Sequence, residues 1–225
     1  MLEMLLVTLT LLFQLGTREY VVVETPIFRA IYSEAFQQPL ELTYRSTNRP
    51  VNWHNQDGLS LRTVPLIRTS DANDYDDVIW VPGFLAPVTR FADTEENLIQ
   101  TFTYLNVMAI HPGLYTEAWH DLELAEEAWD DSEPLYVTIT LDFAVGSELT
   151  PSDMRIAGGI HKHIIFERTG KMRCWYFPNT DPVYKRTEDD TFIYSPYEES
   201  SCNHLPIITG VGTVRLPYDP RSPKS

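Results

Sequence analysis

Cysteine is scarce in this sequence, with only Cys174 and Cys202 among 225 residues. That excludes a disulfide-dense scaffold, and the lack of any CxxC or CxxH pair removes a structural zinc site of the usual spacing. Two thiols could form one disulfide in an oxidising compartment or stay reduced in a reducing one, and their spacing does not decide between these. Cations are also few: 17 Lys and Arg stand against 32 Asp and Glu, a formal charge of −15. Affinity for DNA or RNA comes largely from cationic groups that displace counterions around phosphates, and no basic cluster offsets the deficit. No apolar run is long enough to span a bilayer, and no internal repeat is present.

What the chain does have is apolar mass. Hydrophobic residues make up 43% and aromatics 12%, enough for one substantial core at this length. Met4–Leu15 has the length of a signal-peptide hydrophobic region, which implies secretion. Against that reading stand Glu3 in place of a basic flank and the absence of a clear cleavage site near Gly16 and Thr17; the alternative is a buried strand before Arg18. Residues 1–17 are therefore set apart as a leader, 18–216 as one domain and 217–225 as a tail.

Strands are expected over Glu19–Glu24, ending at Thr25-Pro26, and over Leu40–Tyr44, with Val64–Ile67 as a short strand inside an irregular connection. Asp93 or Thr94 caps a helix through Leu98, Ile99 and Phe102, and Glu96 would complete a capping box with Asp93. A stronger helix follows Pro112-Gly113, with Leu114, Ala118, Trp119, Leu122, Ala125 and Trp129 at three-to-four spacing. Leu135–Phe143, Gly159–Glu167 and Met172–Phe177 alternate as strands, the last two joined by a Thr169-Gly170 turn. Leu205–Val214 is a final candidate strand. Strands on either side of a central helical pair predict an α+β domain built on a mainly antiparallel sheet.

The order of segments over roughly residues 18–180 resembles the ββα-metal nucleases of the DNA/RNA non-specific endonuclease family, which includes endonuclease G. Gly83-Phe84-Leu85-Ala86-Pro87 is similar to the end of that family's Asp-Arg-Gly-His-Leu-Ala-Pro signature. Thr101-Phe102, Asn106-Val107, Pro112, Leu114, Ala118-Trp119 and Leu122-Glu123 match its metal-site helix without a gap. Ile160-His161 opens a strand that ends near Phe177-Pro178-Asn179, like the family's Thr-His strand. The resemblance implies a histidine base and a metal-binding asparagine. Here those positions hold Phe84 and Tyr115, and the signature's Asp and Arg positions hold Val81 and Pro82. Asn106 and Glu123 are the matching remnants. The Gly-Phe-Leu-x-Pro form also resembles the inactive nuclease-like domain of ectonucleotide pyrophosphatases.

These substitutions predict a nuclease-like domain that has lost metal-dependent phosphodiester hydrolysis and binds an unknown protein or small ligand. One alternative is an active, Mg-dependent endonuclease with a rearranged site built from His111, His120, Glu123 and Asn106, of which His111, His120 and Glu123 would be the metal ligands. Another is a structural or assembly protein. Lesser candidates have plainer explanations. His161 and His163 project from one face of a strand, a spacing that suits two metal ligands or cross-strand packing. Asp71, Asp74, Asp76 and Asp77 lack the glycine and terminal glutamate of an EF-hand loop and are expected to be solvated. Glu126, Glu127, Asp130 and Asp131 are assigned to the polar side and exit of the helix, and Trp119, Trp129, Trp175 and Tyr176 to the core.

Overall fold

Thr25 shapes the first chain reversal. Its N–H donates to the Phe28 carbonyl at 2.9 Å and its hydroxyl accepts from the Phe28 N–H at 3.0 Å, which sets β1 (Val21–Glu24) antiparallel to β2 (Phe28–Ser33). The computed structural model of the chain describes residues 20–47, 54–144, 146–181, 184–186, 192–194 and 202. The expected leader at Met4–Leu15, the strand at Leu205–Val214 and the tail at 217–225 lie outside them.

β3 (Gln38–Ser46), β6 (Leu135–Asp142), β9 (Gly159–Phe166) and β10 (Met172–Pro178) complete a six-stranded antiparallel sheet in the order β1-β2-β3-β6-β9-β10. Three short pairs stand apart from it. These are β4 (Val81–Phe84) with β5 (Val107–Ile110), β7 (Glu148–Leu149) with β8 (Arg155–Ile156), and β11 (Tyr184–Arg186) with β12 (Phe192–Tyr194).

The central helical pair expected from the sequence is replaced by one main helix. Helix α1 (Glu95–Thr101), capped by the Thr94 hydroxyl, lasts two turns, because the apolar run Val107–Ile110 that follows is taken up by a strand against β4. The main helix runs through Pro112–Leu114, a π segment at Tyr115–Trp119, and His120–Asp130. It lies on one face of the sheet, with Trp119 edge-on to Phe177, and Trp129 against Phe166 and Trp175. Leu42, Val137, Ile139, Ile160 and Ile164 supply the fully buried sheet side of this core. No helix among the described residues is long and apolar enough to cross a membrane.

Val64–Ile67 is a turn and not a strand: the Ile67 N–H bonds to the Val64 carbonyl, and Leu66 sits at φ 69° with its side chain 86% exposed. The acidic loop is locally organised. Asp71 caps a 3-10 turn at Ala72–Tyr75 and Asp74 closes the capping box while buried, so solvation does not describe it. On the sheet face away from the helix, Tyr176 stands opposite His161, with ring centroids 4.7 Å apart, and Cys174 stands opposite His163. Tyr176 therefore belongs to a cross-strand aromatic group and not to the helix-side core. Cys174 is disulfide-bonded to Cys202 across 28 positions, a closure that stabilises by about 3 kcal/mol on loop-entropy grounds.

Asn179 joins three segments at the end of β10. Its Oδ1 accepts from the His111 N–H at 2.9 Å, and its Nδ2 donates to the Ala109 and Ala157 carbonyls at 3.0 and 2.9 Å. Asn179→Ala strands three backbone groups at a buried position and should cost about 3 kcal/mol; urea unfolding with an unchanged midpoint would refute this role.

Candidate functional site

β4 carries the degenerate signature. Its neighbour β5 leads through His111 into the main helix, so the strand and the helix start meet at Gly83 and Tyr115. A Cβ built on Gly83 would overlap Ile110 Cγ2 at 2.5 Å and crowd Tyr115 Cδ2 at 3.2 Å, so glycine lets both side chains close over the strand. The Tyr115 ring thus rests on the strand. Burial first, then the nearby Glu123, raises its phenol's pKa, against a hydrogen bond from the Phe84 backbone. It stays neutral and is a poor ligand for a hard dication.

Alternation along β4 turns the neighbouring side chain the other way. Phe84 packs into a small cluster with Ala92, Leu98 and Phe102, its ring edge-on to Phe102 at 5.3 Å. Val81 joins the main core and Pro82 continues the strand opposite Ala109. Asn106, wholly buried, clamps the end of the signature. Its Oδ1 accepts from the Ala86 N–H at 2.8 Å while its Nδ2 donates to the Ala86 and Thr101 carbonyls. Both amide protons are thereby engaged in holding the backbone.

Glu123, eight positions beyond Tyr115, shares a cavity of about 340 Å³ with Tyr115, Thr116 and His120. Its Oε1 accepts from Trp119 Nε1 at 2.9 Å. Burial raises its carboxyl to a pKa of about 7 from an ordinary 4.5; Lys162, the Trp119 hydrogen bond and Arg90 pull down, and Glu126 pushes up. His111 lies elsewhere. It caps the helix start, its Nδ1 accepting from the Gly113 N–H at 3.2 Å, and packs against Trp80. His111 does not line the cavity that His120 and Glu123 share, so the proposed trio His111, His120 and Glu123 is not brought together. Among the described residues no three His, Cys, Asp or Glu side chains are grouped to hold a metal. His161 and His163 lie on the far face of the sheet, and burial, then His161, lowers the pKa of His163.

The sequence reading missed a buried charged layer under the helix. Glu126 and Asp130 are not on the polar exterior: they are 1% and 2% exposed. Glu126 forms an ion pair with Lys162 of β9, which is 0% exposed, and accepts from the Tyr44 hydroxyl at 2.7 Å. Lys162 Nζ lies 4.3 Å from the centroid of the Trp119 ring. Asp130 accepts from the Ser46 hydroxyl and pairs with Arg90 at 3.2 Å. Lys162 at an apolar phase of β9 is the signal that could have revealed this, because a lysine there needs a buried acid across from it.

Neither a family model nor a curated protein sequence matches the chain. Its fold is similar to that of a chain in the crystal structure of the EndoG/EndoGI complex, a study of EndoG inhibition. The TM-score is 0.62 at 15% identity, covering 71% of this chain and 74% of that one. The likeness is therefore one of fold, and it is nuclease-like.

The folded protein holds a proton on Glu123 that the unfolded chain releases above about pH 4.5, so stability falls as pH rises from there to about 7 and levels off above. The drop is on the order of 3 kcal/mol. Glu123→Gln keeps the Trp119 hydrogen bond and should remove this slope, leaving the variant more stable than the parent at pH 8 and equal at pH 4. Parallel slopes in guanidinium melts across that range would reject the assignment.

Proposed function

We propose that this nuclease-like domain no longer hydrolyses phosphodiesters and acts as a binding module. The observation that carries the reading is the packing of Tyr115 on Gly83, with Phe84 turned into the Phe102 cluster. An aromatic ring fills the meeting point of strand and helix, and neither Tyr115 nor Phe84, at the positions of the metal ligand and the base, can take a proton from water. Hydrolysis needs a general base within hydrogen-bond reach of the attacking water and a cation for the leaving oxygen. Of the two family-matching remnants, Asn106 is spent on backbone hydrogen bonds and Glu123 accepts from Trp119.

The excess negative charge opposes nucleic acid as the ligand and favours a cationic one. The similar fold was solved in a complex of EndoG with EndoGI, which supports a protein as the kind of partner this fold accepts.

A plasmid and RNA degradation assay with Mg²⁺, Mn²⁺ or EDTA tests the proposal. The expected result is no cutting above the EDTA blank by the parent protein. Metal-dependent cutting that Glu123→Ala abolishes would sink it.

A further inference from the structure

We infer that the cavity beside Tyr115 and Glu123 receives the guanidinium group of an arginine carried by a basic partner polypeptide. This rests on the reading of the domain as a binding module and names its ligand.

The cavity, about 340 Å³, has an aromatic residue, a carboxylate, a hydroxyl and an imidazole in its lining. It falls at the small end of ordinary ligand sites, roughly 300–1,000 Å³. Glu123 is half-buried, and one of its oxygens is held by Trp119. The other has no hydrogen-bond partner among the described residues. A neutral apolar guest would leave that oxygen unpaired, which is costly. An anion would meet Glu123 directly. A hard divalent cation prefers six or more oxygens, and the lining offers one carboxylate. A guanidinium stacks on an aromatic face while donating to a carboxylate, which suits Tyr115 and Glu123 together.

The surroundings point to a polypeptide source for that group. Between Pro112 and Asp131 the chain has no lysine or arginine. Asp121 and Asp131 are exposed along the same helix, and Glu127 is 47% exposed. Leu124, 50% exposed among them, gives an apolar contact that a lone small cation would not use. Such a stripe steers a basic segment along the helix and brings one of its side chains to the cavity.

Docking should also be linked to protons. The groups facing Glu123 are Lys162 from β9, Arg90 from the turn at Val88–Phe91, Tyr44 from β3, and Tyr115, Trp119, His120 and Glu126 from its own helix. Lys162 and Arg90 are paired with Glu126 and Asp130, respectively. A guest cation would therefore be the partner that favours ionised Glu123, and binding should strengthen from pH 6 to pH 8.

Fluorescence anisotropy with the full chain in EDTA, using a labelled peptide of alternating Gly and Arg, tests this. Replacing each arginine by neutral citrulline should weaken binding by at least about tenfold, the scale of one lost charge-assisted hydrogen bond. Glu123→Gln should cost as much and flatten the pH dependence, whereas Asp131→Asn should cost less than about threefold. Thr116→Trp, which fills the cavity without changing charge, should match Glu123→Gln. Binding indifferent to both Glu123→Gln and Thr116→Trp would reduce the effect to surface attraction and overturn the inference. In a parallel titration without EDTA, displacement of the peptide by equimolar Mg²⁺ or Mn²⁺ would make the cavity a metal site and overturn it as well. If N-acetyl-arginine amide alone bound as tightly as the peptide, the polypeptide source would be wrong. Metal-dependent nuclease activity would sink the proposed function and leave this binding to be judged in EDTA. A silent nuclease without arginine-selective binding would sink the inference alone.

Discussion

A lysine with no solvent around it sets the terms for the rest of this structure. Lys162 lies inside the layer between sheet and main helix, and an ammonium ion there is tolerable only with an anion and a polarisable surface at hand. Glu126 and the Trp119 ring provide them. Because the lysine belongs to β9 and its two partners to the helix, the contact fixes both the rotation of the helix about its axis and its position along the strand. Tyr44 and Ser46 on β3 extend the constraint across the sheet through Glu126 and Asp130. An apolar helix face could slide over an apolar sheet, but this one is keyed.

That keying explains why the face carrying Tyr115 and Glu123 is presented as it is. With Glu126 turned inward, Glu123 is placed at the edge of the layer, close enough to sense Lys162 and Arg90 and still able to line the cavity. The same carboxylate is a structural neighbour of the buried charges and the most adjustable group at the surface. Tyr115, seated against Gly83, forms the other wall through steric fit and not charge.

Much of this was legible from residues alone. Alternation gave β6, β9 and β10, because each carries alternating apolar residues toward the helix, and Pro112-Gly113 with the apolar spacing that follows gave the main helix. β2 and β5 escaped: Phe28–Ser33 and Val107–Ile110 are buried on both sides and show no alternation. Val64–Ile67 misled for the converse reason, since its apolar residues are divided between a buried pair, Val64 and Ile67, and the exposed Leu66. The replaced residues of the signature were readable, but the direction in which Phe84 points was not, because that depends on the strand's phase against β5. The acids at positions 126 and 130 looked solvated by type. Their burial follows from a lysine and an arginine far away in sequence, a pairing that only the tertiary fold creates.

The π segment at Tyr115–Trp119 has a consequence for anyone who would rebuild this surface. A π turn holds more residues than an α turn, so angular position on the helix cannot be counted from sequence number across it. Tyr115, at its start, and Glu123, one turn beyond its end, line one cavity across that extra winding. Deleting a single residue between them would restore ordinary pitch and swing one wall out of line with the other. Grafting the same side chains onto a regular helix would reproduce the composition of the cavity but not its shape.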